Sequence, residues 1–129
     1  GYLYSSSMKD CDWAYLWEKD QKELPLVELP NDITMDDFTY YYFTFSDPAV
    51  RCMYPNREVF GNWKQEFDGL ALEGNKIFIL KLHPQMIGRT SRIGMVGEFI
   101  AYMQNHGAWI TTCEDVARYV QKQNGGNRA

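Results

Sequence analysis

Ile77-Phe78-Ile79-Leu80-Lys81-Leu82-His83-Pro84 is the stretch on which the reading of this chain turns. Five of its first six residues are apolar and rich in β-formers, which predicts a strand with both faces covered. A strand covered on both faces belongs to α/β architecture. His83 follows directly, and Pro84 restricts it to extended geometry. In β/α folds the C-terminal ends of strands face the active site, so a histidine there can serve as general acid or base. The plainer alternative is a strand-end histidine bonded to a neighbouring carbonyl.

Outward from this strand, amphipathic helices alternate with short apolar runs. Upstream, Asn56 is a candidate N-cap, and Phe60, Trp63, Phe67, Leu70 and Ala71 recur at helical spacing until Gly74. Downstream, Thr90 or Ser91 can cap a helix with Ile93, Val96, Ile100 and Met103 on one stripe and Phe99 beside it; Gly107 ends it. Residues 108–111 read as a last short strand. Thr112 and Asp115 form a capping-box-like start for a final helix lined by Val116, Ala117 and Val120. Nearer the start, residues 2–4 and 26–29 are further strand candidates, the second closed by Pro30. Residues 31–55 form an aromatic-rich loop region, part of it suited to a strand, and 124–129 a frayed tail.

Composition sets outer limits. The 129 residues carry 17 acidic and 13 basic side chains, a net charge of -4 with no basic cluster, which argues against nucleic acid. At 45% hydrophobic and 16% aromatic the chain is rich enough in core-formers to fold, yet no apolar run suits a membrane span. Cys11, Cys52 and Cys113 are odd in number and widely spaced, as expected of reduced thiols in a cytoplasmic setting. The chain begins at Gly1, consistent with a processed product or a piece of a longer protein.

Few residues carry chemistry. His106 precedes Gly107 at a helix end, where capping is the expected role. Arg89 and Arg92, on the loop and helix start after His83, are candidates to fix a substrate oxygen, or else to pair with a nearby acid. Asp36-Asp37 can supply a base, orient a catalytic group or simply make a solvated turn; Asp37 is placed with the two arginines among the substrate-binding candidates. Two distant histidines and no cysteine pair predict no metal ligands in this chain.

Leu80-Lys81-Leu82-His83-Pro84, then Ile87-Gly88-Arg89 and Arg92, followed by an amphipathic helix reaching Tyr102, resembles the closing motif of polysaccharide deacetylases. The branch it is most similar to includes allantoinase-like and peptidoglycan-deacetylase-like enzymes. Residues 108–117 look like that family's final strand and helix start, and residues 1–7 and 26–30 with Asp36-Asp37 are similar to its middle segments. The resemblance implies the C-terminal part of a distorted (β/α) barrel, a single partial catalytic domain over 1–129. It implies a hydrolase of non-peptide carbon–nitrogen bonds, acting on an N-acetylated glycan or, alternatively, on a small cyclic amide such as a ureide or imide. His83 matches the family's general acid. The family's metal-binding half, with its Asp-Asp pair and His-(Ser/Thr)-x-x-His segment, has no counterpart here, so a divalent metal such as zinc is expected only from a preceding half. Activity is expected of the complete protein, with that half as partner; alone, the chain is expected to associate into oligomers. A noncatalytic fragment that binds a ligand or partner through its aromatic loop is the rival reading.

Overall fold

The computed structural model describes residues 1–44, 46 and 53–125. Phe45 and Cys52 of the aromatic region and residues 126–129 of the tail lie outside them. Strand β1 (Tyr4–Ser5) pairs in parallel with β3 (Lys22–Glu28), which pairs antiparallel with β2 (Tyr15–Lys19), giving the order β1-β3-β2. Asp20 and Gln21 join β2 to β3 with φ of 52° and 61°. Two successive positive φ values are what a two-residue hairpin of the I′ type demands. The β2–β3 register shifts between Leu16 and Glu18, and the indole of Trp17 there reaches Glu28.

Among the described residues, a 3-10 turn (Ile33–Met35) and five α-helices follow: α1 (Asp37–Tyr41), α2 (Asn56–Glu73), α3 (Pro84–Ile87), α4 (Thr90–Asn105) and α5 (Cys113–Gly125). No described helix is long and apolar enough to cross a membrane. Trp63 and Phe67 of α2 interlock with Val96, Phe99 and Met103 of α4, and Tyr40 and Tyr41 of α1 and Ile87 of α3 complete this aromatic cluster. A second cluster joins Val27 and Leu29 to Ala117, Val116 and Val120 of α5.

Residues 77–82 run between the two clusters. Phe78 and Leu80 pack on the first, Ile77 and Ile79 on the second, so the two-faced burial expected of a strand is present. The ladder is not. Among the described residues the backbone bonds at three points, Ile77 N–H to Asp12 O at 2.8 Å, Lys81 N–H to Met35 O at 2.9 Å and Asp37 N–H to Lys81 O at 3.1 Å, the last two flanking one isolated parallel bridge between Asp36 and Lys81.

Several local expectations are corrected. Residues 108–111 form no strand; Trp109 is 61% exposed and packs edge-on against Tyr119. The aromatic run after Asp37 begins as a helix, because Asp36 caps it by accepting from Phe38 N–H. Asn56 is not the cap of α2 but its first residue, and its Oδ1 accepts from the Tyr41 hydroxyl. The buried stripe of α4 is Met95, Val96, Phe99 and Met103, while Ile93 and Ile100 face solvent. Thr112 does open α5: Asp115 N–H donates to its Oγ1 at 3.1 Å, and its hydroxyl donates to Asp115 Oδ2 at 2.7 Å. Asn124 and Gly125, read as tail, are the last residues of that helix.

Candidate active site

His83 is the N-cap of α3, at φ -104° and ψ 120°, the extended conformation that Pro84 requires. Its backbone N–H donates to both oxygens of the Asp37 carboxylate, at 3.1 and 2.9 Å, and its Nδ1 lies 2.6 Å from Asp37 Oδ1. Asp37, the first residue of α1, is fully buried, whereas the His83 side chain is 37% exposed. A carboxylate offers only acceptors, so this contact assigns the ring proton to Nδ1 and turns Nε2 away as the basic nitrogen.

Asp36 sits beside the pair. Its Oδ1 accepts from Phe38 N–H at 2.9 Å and lies 3.6 Å from His83 Nδ1; its Oδ2 pairs with Lys81 Nζ at 2.8 Å. Phe38 tilts against the imidazole at 5.1 Å between centroids, and Tyr42 stacks on Phe38 at 4.2 Å. Behind the pair, burial pushes the Tyr41 phenol up; the Arg92 guanidinium opposes this and the Asp37 carboxylate adds to it.

Donor atoms of Asp36, Asp37 and His83 all lie within 4.8 Å of one another, close enough to suggest a cation. The chemistry of the set does not fit one. Asp36 already holds an ammonium, and Asp37 faces two N–H donors of His83, so a divalent ion there would meet the positive ends of every existing contact.

The sequence candidates thus divide. Asp37 and His83 come together, but Asp37 is turned wholly onto His83, which gives it an orienting role and no exposed atom for a substrate. Arg89 is exposed at the cap of α4, where Gly88, Arg89, Thr90 and Ser91 line a shallow depression. Arg92 is already engaged: Nη1 donates to Met86 O at 2.6 Å, and the guanidinium lies 3.8 Å above the Tyr41 ring. His106 caps α4, with Nδ1 2.8 Å from Tyr102 O. Sequence reading does not single out Phe38 against the His83 ring, Tyr42 stacked behind it or Lys81 on Asp36; the i, i+4 spacing of Phe38 and Tyr42 is the available signal.

No family model matches the sequence, and no curated protein matches it. Solved structures do. A "putative polysaccharide deacetylase" from Mycobacterium smegmatis is 25% identical, with a TM-score of 0.83 over 96% of this chain and 43% of its own. A "probable polysaccharide deacetylase" from Pseudomonas aeruginosa PAO1 is 28% identical, with a TM-score of 0.76 over 95% of this chain and 40% of its own. Puue allantoinase is also 28% identical, with a TM-score of 0.75 over 92% of this chain and 38% of its own. The chain spans about two fifths of the length of each. Over nearly all its length, then, this chain carries the α/β fold of polysaccharide deacetylases and their allantoinase relative.

Proposed function

We propose that this chain supplies the proton-transfer residues of a hydrolase acting on non-peptide carbon–nitrogen bonds, as the C-terminal part of a deacetylase-type barrel. The observation that carries the reading is the 2.6 Å contact between a half-exposed imidazole and a buried carboxylate. Water attacks the amide carbonyl to give a tetrahedral intermediate. His83, protonated at Nε2, gives that proton to the departing nitrogen as the carbon–nitrogen bond breaks, and Asp37 stabilises the imidazolium before the transfer. The group that activates the water belongs, on this reading, to the remainder of the complete protein. Arg89, exposed on the following loop, is suited to meet a substrate oxygen.

The likeness to two polysaccharide deacetylases supports an N-acetylated sugar as the substrate class. The likeness to an allantoinase supports a second reading, in which a ureide or cyclic imide ring is opened. The unpaired, half-buried thiols of Cys11 and Cys113 support a cytoplasmic setting.

The test is His83→Ala in the complete protein, assayed for acetate release from N-acetylated oligosaccharides and for ureide opening. Turnover on the true substrate is expected to fall by about 10²–10⁴-fold with the fold retained. Near-normal turnover would return His83 to a structural role and favour the noncatalytic, ligand-binding alternative.

A further inference from the structure

The Asp37–His83 contact is held by two helices that cannot hold themselves. Asp37 opens the five-residue α1 and His83 caps the four-residue α3. Helices this short are unstable alone, so the placement of both side chains must come from tertiary contacts. One side chain touches both helices at their far ends. Arg92, on the first turn of α4, donates to the carbonyl of Met86, next to last in α3, and covers the ring of Tyr41, the last residue of α1.

Neither contact is loose. Tyr41 is 2% exposed, and its hydroxyl is fixed by Asn56 of α2. The turn between α3 and α4 is equally constrained: Gly88 N–H donates to Pro84 O at 3.0 Å, and a Cβ at Gly88 would lie 2.5 Å from that oxygen. Arg92 N–H then donates to Arg89 O at 2.9 Å. From His83 through α3, Gly88 and Arg89 to Arg92, the backbone forms a frame that the Arg92 side chain closes on Met86. The guanidinium's planar fork suits this double duty, since it hydrogen-bonds in its plane and stacks through its face.

We infer that Arg92 is a positioning residue that sets the Asp37–His83 geometry by clamping α3 to α1, and is not a substrate ligand. The inference rests on the proposed role of His83 for its effect on turnover, but not for its effect on the imidazole itself.

The experiment compares Arg92→Lys and Arg92→Met in the complete protein, alone and in a His83→Gln background. It reads kcat, KM and the ¹⁵N-histidine spectrum, the His83 signal being the one that His83→Gln removes. Arg92→Met is expected to lower kcat by about 10–100-fold with KM within about twofold, as misplacement of a catalytic group does. Arg92→Lys keeps a donor for Met86 O without the planar stack and should recover part of the loss. The His83 Nδ1 proton should shift or broaden, while exposed Arg118→Ala, a matched loss of charge on α5, leaves it unmoved. In the His83→Gln background Arg92→Met should cost nothing further. A raised KM at unchanged kcat would make Arg92 a substrate contact. Equal losses in both backgrounds, or an unaltered His83 signal, would reduce it to a fold residue. If His83→Gln alone leaves turnover intact, the proposed function fails, and the spectrum still decides whether Arg92 sets the ring.

Discussion

Among the described residues two carboxylates are fully buried, Glu28 at the end of β3 and Asp37 at the start of α1, and their partners differ. Glu28 accepts from Ser7 N–H at 2.7 Å, Met8 N–H at 2.9 Å and the Trp17 indole at 2.9 Å. Burial alone would push its carboxyl up; the Met8 and Ser7 amides and the Trp17 indole outweigh that and hold it below the ordinary carboxylate value. None of those donors can release a proton near neutral pH. Asp37 instead faces an imidazole, a ring whose far nitrogen is built to pass a proton on. Burial is common to both corners; on the proposed function, the partner decides whether a buried charge ties the fold or serves chemistry.

Exchanging charge for amide should separate the corners. Asp37→Asn keeps the shape but offers an NH₂ where His83 Nδ1–H needs an acceptor, favouring the wrong tautomer. Turnover of the folded complete protein is expected to fall by about 10²–10⁴-fold, a loss separate from any stability the buried amide costs. A variant with full turnover and a depressed melting point would make Asp37 a second Glu28. Glu28→Gln should show the opposite pattern. It weakens a charged acceptor shared by three donors, at a cost of about 2–4 kcal/mol in denaturant unfolding, with turnover of the folded fraction unchanged. Lost turnover at intact stability would move Glu28 into the site.

Acid sharpens the contrast further. Because the folded Glu28 carboxyl lies below its unfolded value of about 4.3, the unfolded chain binds the proton first as pH falls. The stabilisation is therefore complete above that value and lost as pH falls through the lowered folded one. Asp32, held down by the Thr34 hydroxyl and amide, contributes with the same sign. Urea midpoints should fall below about pH 4 in the native protein and fall less in Glu28→Gln; parallel curves would assign the acid loss to other groups.

These corners were unequally legible. The two-faced run at 77–82 and the histidine closing it are local patterns, and the structure keeps both, losing only the ladder. The β2–β3 hairpin escaped notice because Asp20-Gln21 lacks the Asn-Gly or Asp-Gly signal and Pro25 interrupts the strand pattern. The aromatic region reads as a loop with a part suited to a strand because Tyr, Phe and Thr suit a pleated surface, yet the Asp36 cap and burial of Tyr40 and Tyr41 in the helical cluster select α1. What sequence order hides most is contact across distance. Asp37 and His83 are 46 residues apart, and nothing local marks Arg92 as the neighbour of Met86 O and Tyr41 rather than of a ligand.

The smallest expected effect isolates a single donor. Trp17→Phe keeps a ring on β2 but removes the indole N–H from Glu28 Oε2, leaving both amides on Oε1. One hydrogen bond to a charged acceptor sets a cost of about 1–2 kcal/mol, below that of Glu28→Gln. With one of its lowering partners gone, the Glu28 carboxyl should rise toward its ordinary value. The acid-dependent loss of stability should then be shallower than in the native protein but steeper than in Glu28→Gln. Turnover should be untouched, since neither Trp17 nor Glu28 meets the Asp37–His83 pair. If Trp17→Phe costs as much as Glu28→Gln and flattens the acid curve equally, the indole alone holds the carboxylate and the two amides are incidental. If it costs nothing, the amides suffice.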